Sequence, residues 1–313
     1  MSLISVVLTT FNGASRGYID EAVRSVLDQT DSAFELIILD DGSRDDTPAV
    51  CQGYSDSRIH YLRKENGGPA SARNAGIRAA RGDLICFLDD DDAWLPEKLA
   101  RQRALFDSAS PKPGLVYSAI QAVSREGRPL YIQSHPASDG FYRRLFFENA
   151  VDATSSVMVS REALNKVGMF REEIFTGATQ MCEDRDLWIR IAREFPVLSI
   201  DEPLVRYRVH ENKLSSKHSQ MEQSELLMLR LALEEAPAEI RTESAEIYRG
   251  VYRRFALDRF SLGDYAGFRK YFGEARNSGG AGQKLWLRYA LSFTPPLVKL
   301  VRTLKRTLNG LFA

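Results

Sequence analysis

The chain has 313 residues, with 42 basic and 42 acidic side chains and a formal net charge of zero. That balance excludes a strongly basic nucleic-acid binder and an acidic disordered protein. With 44% hydrophobic and 27% charged residues, the composition suits a chain that buries a core, and the length fits about two domains or one large α/β domain with an appendage. Residues 4–8 read as a buried strand rather than the basic-then-apolar start of a leader peptide. The turn Thr9-Thr10-Phe11-Asn12 follows. Residues 18–27 place Ile19, Ala22, Val23, Val26 and Leu27 at helical spacing. Residues 34–39 form a second apolar run that ends in Asp40-Asp41-Gly42-Ser43. A short helix over 46–54, a strand over 58–62, the loop Asn66-Gly67-Gly68-Pro69 and an alanine-rich helix over 70–80 come next. The strand predicted over 84–88 runs directly into Asp89-Asp90-Asp91-Asp92. Continuous apolar strands alternating with helices indicate a largely parallel sheet covered on both faces. Ligands of such sheets bind outside the carboxyl ends of the strands, where every polar cluster of this segment lies.

The middle third is more mixed. Strands are predicted over 114–123, 154–159, 197–200 and 204–209, with an edge strand near 131–132. Helices are predicted over 141–147, 161–167 and 184–195, the last with Leu187, Trp188, Ile191 and Phe195 on one side. From residue 215 the pattern is helical: 222–235, 239–262, and 264–277 after a Gly263 stop and an Asp264 cap. The expected organisation is an α/β domain over 1–214, a helical extension over 215–277 and a basic amphipathic tail over 278–313. Cys51, Cys86 and Cys182 are few, odd in number and far apart, which fits a reducing compartment better than a disulfide framework or a zinc site. No window of eighteen residues is free of charge and proline, which argues against a membrane-spanning helix.

Neutrality is a cancellation. Residues 1–110 hold 18 acids and 12 bases, whereas residues 275–313 hold seven bases and no acid. In the tail, Pro295-Pro296 separates two segments, and Leu297, Leu300, Val301, Leu304 and Leu308 share one face of the second. That pattern suits the interface of an anionic membrane. The alternatives are docking on the preceding helices or on a second subunit, a homo-oligomer.

Four carboxylates in a row repel one another, and a hard divalent cation such as Mn²⁺ or Mg²⁺ would supply the compensating charge while bridging substrate phosphates. The competing view is an acidic turn that leads into a helix, with Asp92 as its cap. Asp41 at a strand end can accept from the N–H of a nucleotide base, or can belong to a plain turn. Gly67 to Asn74 is a glycine-rich loop feeding a helix with Arg73 near its start, suited to an anionic ligand. It lacks both the dinucleotide and the P-loop spacing. Asp184, at a predicted helix start, reads by position alone as an N-cap.

The ordered set SVVLTTFN, SVLDQT, FELIILDDGSRDDT, NGGPASARNAGI, GDLICFLDDDDAWLPEKL, CEDRDLWIRI and YRVHENKLS resembles the inverting family-2 glycosyltransferases over residues 3–214, about two-thirds of the chain. The resemblance implies an α/β, GT-A type nucleotide-binding fold with a mixed, largely parallel central sheet, followed by a helical C-terminal extension. It implies that Asp41 binds the base of a nucleotide-sugar donor, with Thr9 and Phe11 lining that pocket, and that Arg73 belongs to the nucleotide site. Asp89 and Asp91 match the outer positions of the Asp-x-Asp motif, the first near the ribose and the second on the metal; Asp90 is the neighbouring candidate if the register slips by one. Asp184 matches the catalytic base, and His210 falls where relatives place a residue near the diphosphate or metal. Pro-Thr is common where this chain has Thr9-Thr10. The expected partners are a UDP- or dTDP-sugar, a glycan or lipid-linked glycan acceptor and an anionic membrane surface, with the protein peripheral on its cytoplasmic face. The rivals are a sugar-phosphate nucleotidyltransferase and a non-catalytic nucleotide-sugar-binding scaffold.

Overall fold

The computed structural model describes residues 2–210 and 218–294. The first strand, β1 (Ile4–Thr10), is buried almost throughout because its residues face helices on both sides of the sheet. It pairs in parallel with β2 (Phe34–Asp40) and β4 (Leu84–Asp89), and β2 pairs in parallel with β3 (Ile59–Arg63). The crossovers are α1 (Gly13–Arg16) with α2 (Ile19–Leu27), then α3 (Thr47–Gln52), then α4 (Gly68–Ala79). In α2 the predicted apolar positions Ile19, Ala22, Val23 and Val26 are the buried ones. Gly76 lets α4 lie directly on the sheet, since a Cβ there would come within 2.2 Å of Val7 Cγ1. That close approach sets the position of Arg73, one turn earlier on the same helix.

After β4 come the two-residue strand β5 (Ala93–Trp94), α5 (Lys98–Ser108), β6 (Leu115–Val123), the edge strand β7 (Pro129–Gln133) and α6 (Phe141–Phe147). Then follow β8 (Val157–Ser160), α7 (Arg161–Val167), α8 (Glu183–Glu194) and β9 (Val197–Arg208). The described strands form one mixed sheet in the order β3-β2-β1-β4-β8-β6-β9-β5, with β7 on β6. Its shared core includes Val6, Leu8, Leu36, Ile38, Leu88, Trp94, Met158 and Val205.

Four local expectations change, one being the helix expected over 239–262, which is two helices, Ala238–Thr242 and Ser244–Leu262. Residues 154–156, expected in a strand, form a 3₁₀ turn ahead of β8. The two strands expected over 197–209 are one strand, β9, whose pairing with β6 shifts register near Ala119. The helix expected right after the aspartate run is delayed to Lys98, because Ala93 and Trp94 pair with β9.

The chain divides into two compact units, Met1–Ala232 and from Leu233 onward, with the boundary inside α9 (His218–Glu235). The second unit holds α10 (Ala238–Thr242), α11 (Ser244–Leu262), α12 (Tyr265–Asn277) and α13 (Gln283–Leu291). Gly263 adopts φ 80° at the end of α11, and the Asp264 carboxylate accepts from the Gly267 amide at 2.9 Å, as the stop-and-cap pattern predicts. Aromatic contacts fill this unit, among them Phe255 on Tyr271 and Phe260 on Phe268. The amphipathic segment expected over 297–308 and the residues 211–217 lie outside the described residues. Among the described residues no helix is long and apolar enough to cross a membrane.

Candidate active site

The parallel strands end together. Thr10 is in register with Asp40, and Thr9 with both Leu39 and Asp89, so the turn after β1, the Asp40-Asp41 pair and the aspartate run share one edge of the sheet. Thr9 is half-buried there and Phe11 is exposed.

The aspartate run splits into two kinds of carboxylate. Asp90 is buried and accepts from the Thr10 hydroxyl at 2.5 Å and from Arg16 at 2.7 Å. Burial pushes its carboxyl up to about 6, with Arg16 opposing and Asp91 adding to the rise. Asp92 is buried as well, accepting from the Ser155 hydroxyl at 2.7 Å and the Arg208 amide at 3.0 Å. Asp89 is more open than Asp90 or Asp91, with a side chain 33% exposed, and it meets Arg73 at 3.0 Å. Asp91 meets His210 Nε2 at 2.8 Å. The alternate members Asp89 and Asp91 are therefore the ones joined to the other expected site residues. The intervening Asp90 and Asp92 tie the turn to β1, α1, β9 and the 154–156 turn.

Arg73 is the hub. Its guanidinium is buried over the Phe170 ring, donating to Glu183 at 2.6 Å and to Asp89 at 3.0 Å. Burial works against its charge, and Asp89, Glu183 and Asp184 more than offset that cost. Burial also raises the Glu183 carboxyl to about 7, against the pull of Arg73. Glu183 is the first residue of α8, preceded by Cys182 in the left-handed conformation at φ 65°. Asp184 follows, one residue inside the helix. The N-cap expectation for Asp184 thus fails: the cap position falls on Cys182, two residues earlier. The Asp184 carboxylate accepts from the Arg185 amide at 2.7 Å and from the Thr154 hydroxyl at 3.2 Å.

Asp41 is saturated. Its oxygens accept from Lys64 Nζ at 2.8 Å, Asn66 Nδ2 at 3.1 Å and the amides of Gly67 and Gly68 at 3.0 and 2.8 Å. A carboxylate has about four acceptor positions, so this loop uses them all. Gly42 makes the loop's approach feasible, with φ 78° and a virtual Cβ 2.8 Å from the Asn66 amide.

Sequence reasoning left Glu183 without a role, and Thr10 and Arg16 without a partner. Asp90 and Arg16 are 74 residues apart, and Arg73 and Glu183 are 110 apart. No spacing rule links them. Arg208 is buried, donating to the Asp91 carbonyl at 3.1 Å and to Glu21 at 2.6 Å.

The donor set around Asp91 suits a hard cation that takes part of its shell from substrate. It offers one carboxylate and one imidazole, and among the described residues no group of three or more His, Cys, Asp or Glu is disposed to hold a metal. Mn²⁺ or Mg²⁺ held by one or two protein ligands plus phosphate oxygens fits that supply.

The mixed sheet with its acidic strand ends and helical C-terminal region has a GT-A type fold, and solved structures agree. The chain superposes on Staphylococcus aureus TarS 1-349 in complex with UDP-GlcNAc with a TM-score of 0.65 at 18% identity, covering 93% of this chain and 87% of that one. It superposes on the mannosyltransferase PcManGT of Pyrobaculum calidifontis, in complex with GDP-Man and Mn²⁺, with a TM-score of 0.62 at 17% identity, covering 96% and 82%. Residues 5–168 match the profile of glycosyl transferase family 2. A Bacillus subtilis protein named for teichuronic acid biosynthesis, the glycosyltransferase TuaG, is 32% identical over 219 residues, 68% of this chain and 82% of that protein. An uncharacterized glycosyltransferase of Rickettsia conorii is 30% identical over 224 residues. That match covers 70% of this chain and 36% of the relative, so the chain spans about a third of its length. The chain belongs to glycosyl transferase family 2.

Proposed function

We propose that the protein is a metal-dependent, inverting glycosyltransferase that moves a sugar from a UDP- or dTDP-sugar to a glycan or lipid-linked glycan in cell-surface polysaccharide synthesis. The observation that carries this reading is the placement of Asp184. Its half-buried carboxylate lies at the start of α8, next to the residue that anchors Arg73, and Arg73 in turn reaches Asp89. In an inverting transfer one carboxylate takes the proton of the acceptor hydroxyl as that oxygen attacks the anomeric carbon from the face opposite the leaving diphosphate. Asp184 takes that role, with the Thr154 hydroxyl orienting one of its oxygens. The turn over 154–156 then borders the acceptor.

Thr9, Phe11 and Asp41 line the base pocket. A base N–H reaching Asp41 competes with the amides of Gly67 and Gly68, so donor binding is coupled to the 64–68 loop. Arg73 and Asp89 face the ribose and phosphates, with Asp90 supporting the turn from below. Asp91 and His210 hold Mn²⁺ or Mg²⁺, which when bound supplies positive charge to the leaving diphosphate. The neighbours bound to UDP-GlcNAc and to GDP-Man with Mn²⁺ support a nucleotide-sugar donor and a divalent cation. The relative named for teichuronic acid biosynthesis supports a polysaccharide acceptor. The acid-free C-terminal segment supports peripheral attachment to an anionic, cytoplasmic membrane face.

The test is release of nucleoside diphosphate across a panel of nucleotide sugars, with Asp184→Asn as the control. The variant should lose roughly 10²–10⁴ in kcat while its UDP affinity stays nearly constant. Loss of UDP affinity along with turnover would make Asp184 a structural residue and remove the proposed base.

A further inference from the structure

α13 has two unlike faces. Leu285 and, just past the helix, Ser292 are buried, and the Tyr289 ring stacks on Phe272 with centroids 4.4 Å apart, fixing the helix to α12. Trp286, Leu287 and Phe293 nevertheless stay 48%, 66% and 59% exposed, and Ala290 is exposed between them. Positions 286, 290 and 293 follow one another along a helix face, with 287 beside them. Trp286 packs on Phe272 and Tyr289, and Phe293 on Tyr289 and Arg269, yet both rings keep about half of their surface open. Lys284, exposed, and Arg288, half-buried, flank the stripe. No acid occurs from residue 275 to the end of the sequence.

We propose that Trp286, Leu287, Ala290 and Phe293 form an insertion edge that docks the protein on an anionic lipid bilayer, with Lys284 and Arg288 meeting the headgroups. This deepens the membrane attachment proposed above and rests on it. A tryptophan with about half of its surface open suits the layer between headgroups and acyl chains. The flanking cations add attraction for an anionic surface. Charge selects the bilayer over a second copy of the chain. A two-fold pairing of this face would set Lys284 and Arg288 against their own copies, with no carboxylate on α13 to offset them.

The chain carries its own reporter. Of its three tryptophans, Trp94 and Trp188 are buried at 3% and 0% exposure, leaving Trp286 as the accessible one. The full chain is titrated with phosphatidylcholine vesicles, with or without phosphatidylglycerol, whose acyl chains carry bromine as a quencher. Phosphatidylglycerol vesicles should quench Trp286 and shift its emission to the blue. Partitioning should fall at least about tenfold on phosphatidylcholine alone or at high salt, and Leu287→Asp or Arg288→Glu should weaken it comparably. Sedimentation with vesicles while Trp286 stays unquenched would assign attachment to another segment and overturn the proposal. So would a lipid-free blue shift that grows with protein concentration, the mark of self-association. Thermal stabilisation by UDP is read on the same samples. Its retention in Leu287→Asp, or its absence in the unaltered chain, separates the fate of the donor site from that of the lipid edge.

Discussion

Glu183 shows what burial does to a carboxylate whose partner is already shared. Arg73 divides its charge between Glu183 and Asp89, and burial lifts the Glu183 carboxyl from 4.5 to about 7. Between those values the folded protein holds a proton that the unfolded chain has released. Stability from this group is therefore complete below pH 4.5 and lost as pH rises through 7. Replacing Glu183 by Gln should remove that dependence. The unfolding free energy of the unaltered protein minus that of Glu183→Gln should fall by roughly 1–3 kcal/mol between pH 4.5 and 7.5, measured by urea denaturation without metal. A flat difference would mean that Glu183 titrates normally. The sequence displays Glu183-Asp184 as a pair, and the family resemblance singles out Asp184. Only the meeting of α4 with α8 shows that Glu183 anchors Arg73, because a contact 110 residues apart leaves no local trace.

Among the elements, α5 carries an anomaly. Lys98 is fully buried, its ammonium 4.0 Å from the Trp94 ring centroid and 2.7 Å from Gln102 Oε1. The hydrogen-bond partner found for it is neutral, and burial lowers its pKa from 10.5 to about 8. At pH 7 the amine is charged in both states, so the folded protein carries the whole desolvation cost. From pH 8 to 10.5 the unfolded chain keeps a proton that the folded one has lost, and stability rises. Lys98→Met should raise stability at pH 7 by roughly 1–3 kcal/mol, and that gain should shrink towards pH 10.5, which paired thermal melts would show. The elements themselves were mostly legible. The runs before Asp40 and Asp89 read as buried strands, and α2 shows its apolar face at the predicted positions. The misreadings around the sheet fall where pairing with a distant strand overrides local pattern. The 3₁₀ turn at Thr154–Ser156 forms where Ser155 bonds Asp92 and the Asp89 amide. The delayed start of α5 follows from Ala93 and Trp94 pairing with β9.

On the scale of the molecule, the Asp91–His210 pair is too small a donor set to hold a cation tightly, so metal and nucleotide should bind as one linked event. Mn²⁺ alone should leave the unfolding midpoint nearly unchanged. UDP with Mn²⁺ should stabilise the protein by about 2.7 kcal/mol at a hundredfold excess over the dissociation constant. In Asp91→Ala the metal-dependent part of that gain should vanish while any metal-free UDP effect remains. Strong stabilisation by Mn²⁺ alone would point to a fuller metal site than this pair. The same scale separates what the chain spells out from what folding decides. The sequence by itself determined the parallel half of the sheet, the helical C-terminal region and the acidic strand ends, because periodicity, strand termini and charge runs are local properties. Local order also carried the ordered motifs of family 2. The tertiary structure alone decided which aspartates of the run reach Arg73 and His210 and which brace the turn. It decided that Glu183 holds Arg73, that the 64–68 loop fills Asp41, and that α13 keeps an apolar edge exposed. Those outcomes depend on how burial and charge are shared among groups that meet only after the chain has folded.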